Sequence, residues 1–180
     1  MLFRSKLIEE FMILANVAAA ETLEDRRQPL IYRAHDEPTP EKLNALAEFL
    51  ASIGVKMAKG QVLKPANFNH ILAQAEDGEH ENVVNEIVLR TQAQAEYTAK
   101  NYGHFGLSLR RYAHFTSPIR RYADLIVHRA LVRALDFGDD GLPDFHVDEL
   151  EEIAARISVA ERRAMKAERE THDQIGRAHV

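Results

Sequence analysis

Apolar positions recur along much of this chain at the three-and-four spacing of a helix packed on one side. The breaks fall at proline, glycine and aspartate. Ile8, Phe11, Met12, Ala15, Ala18 and Ala19 carry the pattern through residues 6 to about 24. RRQPLIYRAHDEPTP then reads as a connector with a short extended piece at 30–33, closed by prolines. Thr39-Pro40-Glu41 opens a second helix with a threonine cap and a first-turn proline; Leu43, Leu46, Phe49 and Leu50 form its stripe, and Gly54 ends it. The stretch beginning VLKPANF predicts a short helix, a turn at Asp77-Gly78, and a longer helix over about 81–96. KNYGHFGLSLRRYAHFT predicts a loop with short strands. Residues 117 to about 135 read as a helix striped by Ile119, Tyr122, Ala123, Ile126 and Ala130. A turn-rich linker at 136–143 precedes a long charged helix over 148 to about 173, whose outer face should be solvated. The expected fold class is therefore mainly helical with a few short strands.

Composition narrows the function classes. The chain has 180 residues, enough for a domain with a core. No apolar run reaches the roughly 18 residues of a membrane span, so no membrane partner is expected. The start shows no signal-peptide pattern. With no cysteine there is neither a disulfide nor a thiolate metal site, which fits a cytoplasmic location. The net charge of -5 does not announce a nucleic-acid binder. Its distribution says more: Arg110, Arg111, Arg120, Arg121, Arg129 and Arg133 face a single acid, Asp124, across that stretch.

The ends stand apart. MLFRS and IGRAHV are what a short-read sequencing adapter gives when translated. Residues 1–5 and 175–180 are accordingly expected to be read-through scars around a protein segment at 6–174.

Ser117-Pro118 looks like a helix cap and first position, which would place Arg120 and Arg121 in the first turn. Cations there oppose the helix dipole by about 0.3–1 kcal/mol each. A phosphate at this end would remove the conflict, drawing on free N–H groups and two guanidinium forks. Asp124 would hold Arg120 from one turn below, with His128 on the same stripe. Pairing of both arginines with surface acids is the plainer reading, and spacing alone leaves it open. Tyr102, Phe105, Tyr112, Phe115 and Tyr122 interleave with the arginines, as stacking surfaces do in proteins that bind single-stranded nucleic acid. Core packing is the competing use of those rings.

GHFGLSLRRYAHFTSPIRRYADLIVHR strongly resembles the signature of the ribonuclease II / ribonuclease R family. LIEEFMILANVAAAE resembles the family's EEFM helix, IYRAHDEPTPEKLNALAEFLASIGV its proline-rich connector, and AERRAMKAERE its last catalytic-domain helix. The wording is nearer the ribonuclease R type. The resemblance implies the helix-rich, C-terminal portion of one RNB catalytic domain, itself an α/β (α+β) fold. It implies a processive 3′-to-5′ hydrolytic exoribonuclease that degrades single-stranded RNA to nucleoside 5′-monophosphates with two divalent ions, usually Mg²⁺. It places Arg120 against the scissile phosphate, with Arg121 in support. Glu9 would read a ribose 2′-hydroxyl, and Glu168 would lie near the 3′-terminal nucleotide, with Glu161 a weaker candidate. Tyr112 and Phe115 are further RNA-binding candidates. Asp124 and His128 are expected to support or pack. The intact protein is expected to be monomeric, with flanking cold-shock and S1 domains.

The family's metal-binding aspartates would lie upstream of this segment, so no metal ligand is expected here. Asp139-Asp140 sits in a turn-rich linker after the arginine helix, and His35-Asp36 in a connector without partner ligands. The segment alone is expected to be inactive and poorly stable, with helix faces exposed where the missing half would cover them. A non-catalytic RNA-binding scaffold and a helical protein-interaction module are the alternatives.

Overall fold

A computed structural model describes residues 2–57 and 64–178, with side chains described over 5–57 and 64–172. The described residues divide into two compact units. Unit 1 is Met1–Arg33, Glu96–Asn101 and Arg111–Val180; unit 2 is Ala34–Ala95 and Tyr102–Arg110.

Unit 1 is built from α1 (Leu2–Asp25), α5 (Tyr122–Leu135) and α6 (Val147–Ala178), with strands β1 (Tyr32–Ala34) and β2 (Glu96–Thr98) paired as a small sheet. α1 packs on α5, α5 touches α6, and α6 lies along β2. Alanines at 20, 123, 130 and 154 let the backbones approach closely, and Leu23, Ile31, Val127 and Leu150 fill the remaining space. Only the Asn16, Ala19, Ala20 and Leu23 side of α1 is covered. The expected stripe is corrected in its first half: Ile8, Phe11 and Met12 are exposed, as are Leu7 and Leu14. Apolar residues surround the first half of α1, and the unit's other elements cover only its second half. Both α1 and α6 run past their expected ends into the stretches set apart as scars; Met1, His179 and Val180 lie outside the described residues.

Unit 2 holds α2 (Pro40–Ser52), α3 (Pro65–Ala75), α4 (Glu81–Thr91) and a 3-10 turn (Phe105–Leu107). Its core is Leu46, Leu50, Phe68, Ile71, Val84 and Val88. Local signals set its borders: Thr39 Oγ1 accepts the Lys42 N–H at 3.4 Å, Pro40 opens α2, and Gly54 takes φ +79° just beyond its end. Val62 and Leu63, which open the stretch read as the next helix, lie outside the described residues. α4 stops at Thr91, short of the expected end. Thr91 Oγ1 turns back to donate to the Ile87 carbonyl, Gln92 is extended, and the aromatic Tyr97 and branched Thr98 continue as a strand.

The main correction concerns the arginine helix. α5 begins at Tyr122, not after Ser117. Ser117 does start a turn: its carbonyl accepts the N–H groups of Arg120 and Arg121 at 3.3 and 3.2 Å. Arg121 then goes extended (φ -126°, ψ 117°) and becomes the N-cap residue. Asp124 falls in the first helical turn, so the dipole meets an acid there after all.

Candidate functional site

Asp124 organises the approach to α5. It is fully buried, and its Oδ1 accepts the Ser117 N–H at 2.7 Å and an Arg121 Nη2–H at 3.2 Å. Its Oδ2 lies 3.0 Å from Arg121 Nε. The extended backbone at Arg121 lets that side chain fold onto Asp124. The acid therefore holds Arg121, and the expected Arg120–Asp124 pairing is corrected. Arg120 ends the preceding turn, exposed, and no acid among the described residues pairs with it.

The strand of chain before the turn is tied to α1 through one carboxamide. Asn16 is buried; its Nδ2 donates to the Tyr112 hydroxyl at 3.0 Å, and its Oδ1 accepts the N–H groups of Phe115 and Thr116 at 2.9 and 3.2 Å. Tyr112 is thereby corrected as an RNA-stacking candidate, because its ring is buried in unit 1. Phe115 is half-buried, with one face stacked on His128 at 4.3 Å. His128 Nε2–H donates to the Phe115 carbonyl at 2.8 Å, so this histidine packs and anchors.

The basic stretch separates into engaged and unengaged members. Arg111 pairs with Glu24 and reaches Glu21. Arg129 donates to the carbonyls of Asp140 and Gly141, and Arg133 to that of Leu142 and to Asp144. Those two arginines pin the 138–144 linker, which accounts for Asp139-Asp140-Gly141 as a loop segment. Among the described residues, only Arg110 and Arg120 of the six have no such partner. Arg120 belongs to unit 1 and Arg110 to unit 2.

Arg120 lines a cleft of about 960 Å³ within unit 1. Tyr97, Tyr122, Ile153, Ile157 and Met165 give it apolar surface, while Arg121, Arg156, Glu161 and Glu168 give it charge. Of the residues singled out from sequence, the cleft brings together Arg120, Arg121, Glu161 and Glu168. Glu9 is exposed on α1 and is not among its lining residues. Tyr97, on the cleft wall, is buried; burial pushes its phenol above the ordinary tyrosine value, and its hydroxyl meets His114 Nδ1 at 2.9 Å. The Arg33 guanidinium lies over the Tyr97 ring, 4.6 Å from its centroid, and 2.6 Å from Glu161. Arg33, Tyr97 and Arg156 went unread in the sequence, and the one available signal was an arginine in an otherwise apolar extended piece.

The cleft does not suit a divalent ion held by this chain alone. One lining acid is paired with Arg33, Glu168 is exposed on a helix, and three arginines add positive charge. Among the described residues, no group of three or more His, Asp or Glu converges as a metal cradle. His35 is engaged at both ring nitrogens. Nδ1 accepts the Gly106 N–H at 2.8 Å, which leaves Nε2 to donate to the Ala93 carbonyl at 2.8 Å. Among the described residues, no helix is long and apolar enough to cross a membrane.

The RNB domain model matches residues 3–136. The chain is 37% identical over 179 residues to ribonuclease R of Vibrio cholerae, covering 94% of this chain and 22% of that protein. It is 42% identical over 170 residues to ribonuclease R of Aquifex aeolicus, covering 94% and 24%. The solved structure of Mycoplasma genitalium RNase R in complex with ribose methylated single-stranded RNA superposes with a TM-score of 0.83 at 28% identity, covering 96% of this chain and 28% of that one. The chain thus spans less than a quarter of the length of these curated relatives (22–24%).

Proposed function

This chain belongs to the RNB-domain family, and we propose that it is the helical, arginine-bearing portion, over residues 6–174, of one catalytic domain in a processive 3′-to-5′ exoribonuclease. The intact parent would hydrolyse single-stranded RNA to nucleoside 5′-monophosphates. The observation that carries this reading is the contrast between neighbours. Arg121 is fixed to buried Asp124, while Arg120 is exposed at the cleft and pairs with no acid among the described residues. An unpaired guanidinium held on such a turn can donate paired hydrogen bonds to phosphate oxygens and counter the charge that grows on them during cleavage. Superposition on a relative solved with single-stranded RNA supports the same substrate class.

Within this reading Arg120 holds the scissile phosphate. Arg121 acts as the buttress that sets the turn, and Glu168 faces the 3′-terminal nucleotide from α6. Glu9, exposed on α1, reads a ribose 2′-hydroxyl elsewhere along the strand. Divalent ions, Mg²⁺ by the family resemblance, supply the nucleophile's activation and would have to be held by acids outside this chain. The chain alone is therefore inactive. The parent carries cold-shock and S1 domains, is monomeric and works in the cytoplasm.

The test compares three proteins on a 5′-labelled single-stranded RNA in Mg²⁺: the intact parent, its Arg120→Ala variant, and the 180-residue chain. The parent should trim processively, the variant should bind but turn over about 10²–10³-fold slower, and the chain should not trim. Hydrolysis by the isolated chain would refute the division of labour. A parent that binds RNA with a steep salt slope yet cleaves nothing is a scaffold. One that binds no RNA is a protein-interaction module.

A further inference from the structure

Two carboxylates of α6 line the cleft, and they are held in opposite ways. Glu168 is exposed and has no partner among the described residues. Glu161 stands seven residues earlier on a similar face, roughly 10 Å away along the helix axis. Its side chain is 29% exposed, and its Oε2 sits 2.6 Å from Arg33 Nη1. Arg33 is 15% exposed and its guanidinium lies 4.6 Å over the Tyr97 ring. Tyr97 is itself buried, with its hydroxyl on His114. Each group in this series is fixed by the one behind it: ring, guanidinium, then one carboxylate oxygen. The second oxygen, Glu161 Oε1, has no hydrogen-bond partner among the described residues.

We propose that Arg33 is a positioning residue that aims Glu161 into the Arg120 cleft, and that Oε1 accepts a hydrogen bond from a ribose hydroxyl of bound RNA. The inference rests on the reading that this cleft holds RNA. The chemistry of the pair selects the partner. A carboxylate paired with a guanidinium accepts and cannot donate, so its partner must be a donor. Beside a phosphate drawn in by Arg120, the donor that every nucleotide of RNA carries, whatever its base, is the sugar hydroxyl. Arg33 also makes an acid tolerable there, because it cancels the charge that would otherwise repel the phosphate. Lysine at 33 would keep that charge and lose both the fork and the stacking surface over Tyr97.

The pair could instead serve only to fasten α6 to the β1–β2 sheet, so the test must read something that fastening would not move. The full-length parent is given, in one tube, an all-ribose oligonucleotide against copies carrying a single 2′-deoxy sugar at each of the last few positions, or a 3′-deoxy end. The wild type should prefer ribose at one position by about tenfold, the strength of one hydrogen bond to a charged group. Glu161→Gln and Arg33→Ala should each bring that preference close to unity, and Arg33→Lys should fall between. The ratio is taken within one sample, so loss of folded protein cancels. The Arg33→Ala/Glu161→Gln double variant should discriminate no less than either single variant, since Arg33 acts through Glu161. If Glu161→Gln slows every oligonucleotide by one common factor and leaves the preference intact, the inference is overturned while the functional reading stands. A wild-type parent that trims no RNA at all overturns both.

Discussion

Unit 2 and unit 1 bury polar groups in different ways. In unit 2 the core is apolar side chains on three helices; of its buried polar side chains, Thr91 turns back to its own helix and His35 bonds main chain through both nitrogens, at Gly106 and Ala93. In unit 1, Asn16, Asp124 and Ser158 are buried, and each joins pieces of chain that the backbone alone would not hold together. Asn16 ties α1 to residues 112–116; Ser158 bonds both backbone groups of Tyr97 from α6; Asp124 joins Ser117 to Arg121. Buried polarity in unit 2, at His35, clamps a connector to backbone 58 and 71 residues further along the chain. In unit 1 it fixes the path of an irregular segment that ends in an exposed arginine.

The largest expected effect removes the unit 1 device at its centre. Asp124→Ala leaves the Arg121 guanidinium unpaired and should destabilise unit 1 by about 3–5 kcal/mol. Hydrogen exchange should show lost protection over α5 and the preceding loop, with unit 2 peptides unchanged. Arg120→Ala should do the reverse: no measurable change in exchange, and the loss of turnover described above. If both variants lost stability equally, the distinction between neighbouring arginines would be void. A smaller effect probes unit 2. A methyl group at Gly106 would meet His35 Nδ1 at 2.9 Å, and that ring is held at both ends. Gly106→Ala should destabilise unit 2 by about 1–3 kcal/mol, with exchange quickening in its peptides only.

The smallest effect is alkaline. Burial raises the Tyr32 phenol, helped by its hydrogen bond to Glu24, and burial raises Tyr97 as well. Below the ordinary tyrosine value of 10.0 both states keep these protons and stability is flat with pH. Above it the unfolded chain releases them before the folded one does, so stability falls as pH rises through that window. Near-ultraviolet circular dichroism should show the loss beginning there, and Tyr97→Phe should flatten part of the slope. A slope of the same size in that variant would remove Tyr97 from the account.

What could be read from sequence was what neighbours in the chain decide. The Thr39-Pro40 start, the Gly54 stop and the turn at Asp77-Gly78 each act over a few residues, and each is found in place. The start of α5 was misplaced because the group that delays it, Asp124, acts back on Ser117 from seven residues ahead. The same distance problem concealed Arg33, whose partner Glu161 is 128 residues away in sequence. Arg120, Arg121 and Glu168 were singled out through family resemblance, and the cleft groups them. Tyr112 was misassigned because an aromatic beside arginines looks the same whether it meets a base or Asn16.

That carboxamide has one more consequence. Its nitrogen gives and its oxygen takes, so Asn16 sets both the rotation and the height of α1 against the Phe115–Thr116 backbone. A slip of α1 by a single residue would swing the side chain about 100° aside. The chain four residues before Arg120 would then lose its mooring. The register of a distant helix therefore acts as the adjusting screw for where one guanidinium stands.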